Sequence, residues 1–196
     1  SRTKSACASI GIRSWHSKWK REYFECAEWR NKVMAEIEAI NPDLVILANS
    51  SRHAPLDENG ERVLGGAGLS KLADAEQRTI KKLVDSGAEV VLMRETPWHT
   101  KFDPFDCVVA NPANPEACKS SLEDAFTKDS PWSVDENSNQ PGVYLVDMTD
   151  QFCMDGYCYV VNDKYMLVRD RHHITPSYAE SLSGVLSERL FKVLGW

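Results

Sequence analysis

Asn41-Pro42-Asp43-Leu44-Val45-Ile46-Leu47-Ala48-Asn49 is the stretch that decides the fold of this chain. Pro42 cannot continue a helix, and the five apolar residues Leu44–Ala48 have the length and β-branched content of a strand buried on both faces of a parallel sheet. Polar Asn49-Ser50-Ser51 ends the run. Upstream, Phe24, Ala27, Val33, Met34, Ile37 and Ile40 recur at helical spacing and predict a helix over Arg21–Ile40. Downstream, Leu72, Ala75, Ile80 and Leu83 predict a second helix over Ser70–Ser86, stopped by Gly87, and Glu89–Met93 reads as a second buried strand. Two helix–strand units in succession predict an α/β fold: a three-layer, doubly wound, mostly parallel sheet, with ligands beyond the carboxyl ends of its strands.

The remaining segments extend this frame. Lys4–Ile10 reads as the end of a strand, and Arg52–Leu69, with Gly60, Gly65, Gly66 and Gly68, as a flexible rim without the order of a phosphate-binding motif. Glu95–Gln140 is rich in Pro, Asn, Asp and Ser, with one short helical stretch near Pro115–Phe126; so long an irregular insertion is usually functional or stapled. Val143–Asp147 reads as a further strand and Cys153–Tyr159 as a tight excursion around Asp155-Gly156. A final amphipathic helix over Pro176–Leu194 is expected to bury Ala179, Leu182, Val185, Leu186, Leu190 and Val193. With no internal repeat and no boundary signal, residues 1–196 are expected to form a single domain.

The net charge of −6 argues against a nucleic-acid partner, which needs a basic stripe. The 42% apolar and 27% charged content are those of a globular chain. The six cysteines form no C-x-x-C pair of the kind that binds zinc, and their even number fits disulfides better. Joining sequence neighbours gives Cys7–Cys26, Cys107–Cys118 and Cys153–Cys158, although other pairings are open; disulfides would place the chain outside the cytosol.

Val168–Tyr178 carries the chemistry. Asp170 precedes His173 by three residues, with Thr175 an N-cap and Pro176 the first helical residue of the last helix. In a rigid turn Asp170 can hold one ring nitrogen of His173 and leave the other free to take a proton, the arrangement of a general base with its orienting acid. Helix capping is the alternative role for the pair. His53 and His99 lie on loops, where histidines are commonly just solvated. A metal site using Asp170, His172, His173 and His99 lacks a readable ligand set, and neither a metal nor a cofactor is expected. Ser50 and Ser51 follow a strand, but not in the G-x-S-x-G context of a nucleophile. Trp98 is a candidate substrate-binding residue that would stack on a sugar ring, or else a rigid lid over the core.

T-K-S-A-C at Thr3–Cys7, N-P-D-L-V-I-L-A at Asn41–Ala48, E-T-P-W at Glu95–Trp98, D-P-F-D-C at Asp103–Cys107 and D-R-H-H-I-T at Asp170–Thr175, in this order, make the chain resemble the SGNH (GDSL-like) hydrolase superfamily. Within it they resemble the extracytoplasmic SGNH domain fused to membrane acyltransferase-3 proteins. The resemblance implies a flavodoxin-like sheet and an O-acyltransferase or acetylesterase acting on cell-surface or cell-wall carbohydrate by Ser-His-Asp double displacement. It implies Asp170 and His173 as the later members of the triad, and Asn49 as the residue nearest the oxyanion-hole position, in A-N-S rather than G-x-N-D. It further implies a glycan substrate, an acyl donor supplied by a membrane acyltransferase domain, and tethering to the outer face of a bacterial membrane.

The chain departs from the family in lacking a G-D-S-H nucleophile block. That block lies on a central first strand, whose omission would leave two strand edges unpaired. The expectation is that residues upstream of Ser1 supply it. The competing expectation is a non-catalytic SGNH-like module that presents glycan to a membrane partner.

Overall fold

The computed structural model describes residues 1–126 and 140–196. It contains, in chain order, β1 (Trp15–His16), β2 (Arg21–Glu22), α1 (Phe24–Ile40), β3 (Leu44–Ala48), α2 (Gly65–Asp85), β4 (Glu89–Met93), α3 (Pro104–Ala110), β5 (Lys119–Ser121), α4 (Leu122–Ala125), β6 (Val143–Val146), β7 (Cys153–Met154), β8 (Tyr157–Tyr159), α5 (Pro176–Ser181) and α6 (Ser183–Leu194). The fold is α/β, with a parallel β3–β4 pair in a sheet of order β3-β4-β6 and flanking helices. Two compact units divide the described residues: one holds Ser1–Glu95 and the described part of 129–145, the other the described part of 96–128 and Val146–Trp196.

In the first unit, Val45 and Leu47 of β3, Val90 and Leu92 of β4 and Val143 and Leu145 of β6 pack with Leu72, Ala75, Ile80 and Leu83 of α2. Met34 and Ile37 of α1 join the same core. The alternation of strand side chains puts Val91 on the opposite face of β4, where it is also fully buried. β3 differs from expectation: Ile46 is 45% exposed and Ala48 is exposed, so only one face is covered. Within the described sheet β3 is an edge strand, hydrogen-bonded to β4 alone.

The expected strand at Lys4–Ile10 does not form. Ala8 and Ile10 are buried nonetheless, and the Arg30 guanidinium donates to the carbonyls of Ala8 (3.2 Å) and Ile12 (2.9 Å). A buried backbone without a ladder still needs partners, and Arg30 supplies them. α1 starts after the Arg21–Glu22 pairing with Trp15–His16, and its Phe24 and Ile40 are exposed, not inward. Asn41 closes it in the left-handed conformation, its N–H reaching the Ile37 carbonyl at 2.8 Å.

α2 begins at Gly65, five residues before the periodicity predicts. Gly-Gly-Ala-Gly has the composition of a loop, but tertiary packing overrides it: a Cβ on Gly68 would lie 2.5 Å from the Val63 carbonyl oxygen. The preceding rim is pinned. Asp57 accepts from the N–H groups of Asn59 (2.9 Å) and Glu61 (2.8 Å), and Leu56 donates to the Arg13 carbonyl (3.0 Å).

The second unit contains an antiparallel sheet of order β5-β8-β7 that the sequence reading does not foresee. Asp155 and Gly156, both at positive φ, turn β7 into β8, as a two-residue hairpin of this hand requires. The expected helical stretch near Pro115–Phe126 resolves into a 3₁₀ turn at Pro115–Ala117, β5 and the single-turn α4. An unforeseen helix, α3, is capped by Asp103, which accepts from Phe105 N (3.1 Å) and Asp106 N (3.3 Å), with Pro104 at its first turn. Residues 127–139 of the irregular insertion lie outside the described residues.

The disulfides are Cys7–Cys26, Cys107–Cys118 and Cys153–Cys158, the neighbour pairing. The last two sit in small apolar clusters of the second unit. The final helix is interrupted at Leu182 into α5 and α6. Leu182 is buried, Val185, Leu186, Leu190 and Val193 are half-buried, and Ala179 is exposed while its neighbour Tyr178 is buried. One residue is a turn of about 100° around a helix, and the larger aromatic takes the inward position.

Candidate active site

The turn that carries Asp170 and His173 is a short antiparallel excursion. Val168 bridges Ile174, Arg169 N–H donates to the His173 carbonyl (2.8 Å), and Thr175 N–H donates to the Leu167 carbonyl (3.0 Å). Thr175 then caps α5 as the sequence predicts, accepting from Tyr178 N–H at 3.3 Å, while its own hydroxyl donates to the Met166 carbonyl at 2.6 Å. Both ends of the turn are thereby fixed.

Inside it, Asp170 Oδ1 accepts from the backbone N–H groups of His172 (3.0 Å) and His173 (2.9 Å), and Oδ2 lies 2.8 Å from His173 Nδ1. Burial by itself pushes the Asp170 carboxyl up, but the two backbone N–H bonds, the His173 side chain and its charge together outweigh it and hold the group down at about 2. Asp170 is therefore ionised at neutral pH and can only accept. His173 Nδ1 must be the donor, which leaves Nε2 as the nitrogen that takes a proton. The His173 side chain is 52% exposed, so that nitrogen is open to a reactant.

Trp98 is half-buried, and its indole stacks on the His172 imidazole with centroids 3.7 Å apart and planes 2° apart. The His172 ring in turn lies 3.9 Å from that of His173. Asp170, His172 and His173 each offer one potential ligand atom, all within 4.8 Å of one another; His99 is not in that group. His99 is not a solvated loop histidine: it is fully buried, with Nδ1 3.0 Å from Ser120 Oγ, and burial lowers its pKa to about 4. His53 is likewise held at about 4, by burial and by the nearby Arg30 charge.

Asn49 and the paired Ser50-Ser51 belong to the first unit. Asn49 Oδ1 accepts from both the backbone N–H (2.7 Å) and the hydroxyl (2.6 Å) of Ser9. Two donors on one atom fix which end of the amide is oxygen. Its Nδ2 is buried without a hydrogen-bond partner. A donor left unpaired in the interior costs roughly 1–3 kcal/mol and calls for an explanation in function. The Ser50 hydroxyl donates to Glu95 (3.1 Å), as do the Ser51 hydroxyl (2.6 Å) and backbone N–H (3.0 Å), so both serines are bound to a carboxylate rather than to a histidine. Ser9, Glu95 and Thr96 are contributors that the sequence reading missed as individual residues. Glu95 and Thr96 lie in the quoted E-T-P-W block, whereas nothing in the local pattern marks Ser9.

The chain thus presents an α/β sheet and, just before the last helix, a histidine oriented by a carboxylate. The chain belongs to the family of SGNH domains fused to AT3 domains, whose model matches residues 1–188. A solved structure, the periplasmic domain of the lipopolysaccharide acetyltransferase of Salmonella ser. Paratyphi A, is similar in fold: TM-score 0.62 at 17% identity, covering 93% of this chain and 68% of that one. No curated protein matches the chain.

Proposed function

We propose that this chain is the extracytoplasmic SGNH domain of an O-acyltransferase or acetylesterase acting on cell-surface carbohydrate. The observation that carries the reading is the Asp170–His173 pair, with Nδ1 held at 2.8 Å and Nε2 left to exchange a proton. Family membership supports an acyl-transfer role beside a membrane AT3 domain, which would deliver the acyl donor. The disulfides favour an oxidising compartment. The lipopolysaccharide acetyltransferase with a similar fold favours a glycan acceptor.

In this reading the nucleophile is a serine hydroxyl presented to His173 Nε2. His173 Nε2 removes the serine proton as Oγ bonds to the acyl carbon, and returns it to the leaving oxygen as that bond breaks. The acyl-enzyme then passes its group to a sugar hydroxyl or to water by the reverse proton path. Asp170 keeps the imidazole in the required tautomer and balances its charge once protonated. Asn49 Nδ2, a buried donor of the first unit, is the residue proposed as the oxyanion donor.

The test uses the full-length protein and a chromogenic acetyl ester. His173→Ala should abolish turnover while the melting temperature stays within a few degrees of wild type. Full activity in that variant would refute the assignment.

A further inference from the structure

The geometry points to Trp98 and His172 as positioning residues for His173, so that the T-P-W-H segment braces the proton-transferring turn; this rests on the reading of His173 as the base. Four contacts join the two segments. The Thr96 hydroxyl donates to the His172 carbonyl at 2.8 Å. His99 N–H donates to the Arg171 carbonyl at 2.8 Å. The Arg171 guanidinium donates to the Thr100 carbonyl at 2.8 Å. The fourth contact is the Trp98–His172 stack, at 3.7 Å and 2°.

The consequence reaches His173 through His172. The His172 ring contacts the Trp98 face on one hand and the His173 ring on the other, at 3.9 Å. Asp170 fixes only the Nδ1 edge of His173, and a ring hydrogen-bonded along one edge can still swing about that bond. A neighbouring ring against its flank removes this freedom. Trp98 is anchored independently, its backbone N–H donating to the Ala125 carbonyl at 2.9 Å, and its chain neighbour His99 is fully buried. The stack therefore runs from the half-buried Trp98 to the half-exposed base. It also occupies an indole face that a sugar platform would need, which favours the positioning role of Trp98 over the platform role.

A small ester without a sugar separates these roles, since it cannot touch a sugar platform. With p-nitrophenyl acetate and the full-length protein, Trp98→Ala and His172→Ala should each lower kcat roughly 10- to 100-fold with KM within about threefold, the size of effect that small misplacements of catalytic groups produce. Trp98→Phe and His172→Phe, which keep a stacking face, should recover most of that loss. The double variant Trp98→Ala/His172→Ala should be no slower than His172→Ala, because the stack is already gone. Where an alanine variant does not fold, leucine at the same position keeps the bulk without the aromatic face and should show the same loss. Wild-type kcat in the folded alanine or leucine variants would overturn the inference while leaving the base intact. Wild-type turnover by His173→Ala would instead overturn the reading on which it rests.

Discussion

Asn49 joins two features: a carbonyl oxygen held twice by Ser9, and a buried amide donor with no partner. Interior donors are normally satisfied, and the role proposed for this one is to meet the oxygen on which negative charge develops. Asn49→Ala is expected to lower kcat about 10²- to 10³-fold with little change in KM, as removal of an oxyanion donor does elsewhere. Ser9→Ala removes one of the two bonds that orient the amide and should cost less, because the backbone N–H remains; steady-state kinetics on the acetyl ester reads both. At the same scale, Asp170 sits at about 2, so activity should not track its titration anywhere above roughly pH 4. The Asp-x-x-His spacing was legible in the sequence because a three-residue turn is local. The Ser9–Asn49 pair was not, since it joins residues forty positions apart and leaves no periodic trace.

α5 and the hairpin β7–β8 show how local chemistry sets the elements around the site. Thr175 both caps α5 and ties the turn to Met166, so Thr175→Ala should destabilise the protein by about 1 kcal/mol or somewhat more, measured by urea unfolding. The buried His99, beside Ser120 of β5, makes stability depend on pH. Its folded pKa of about 4 lies below an unfolded value near ~6.5, so the unfolded chain binds more protons between them and stability falls as pH drops through that window. The melting temperature should fall from pH 7 to pH 5, and His99→Gln should flatten that dependence in part, the remainder coming from His53. A melting temperature indifferent to pH over this range would contradict the burial of both rings. Strands β3 and β4 could be read from their apolar runs, as could the Asp155-Gly156 turn. The start of α2 could not, because three glycines argue for a loop until the close approach of Gly68 to Val63 is known. The Asp103-Pro104 cap of α3 carried a legible signal that a Pro- and Asn-rich neighbourhood obscured.

On the scale of the whole molecule, the α/β class followed from two successive helix–strand units, and the disulfides from their short loops. The antiparallel sheet did not, since β5, β7 and β8 are each three residues or fewer and too short to show alternation. The one-sided burial of β3 was hidden for a related reason: an apolar run does not reveal which neighbours will cover it. The central proposal is that the Asp170–His173 pair activates a serine nucleophile. Labelling of the full-length protein by a serine-directed fluorophosphonate tests this most directly. The account predicts one labelled serine, with labelling lost in His173→Ala. Labelling that persists unchanged in His173→Ala, or its complete absence from the folded wild-type protein, would contradict it and favour a module that binds glycan without transforming it.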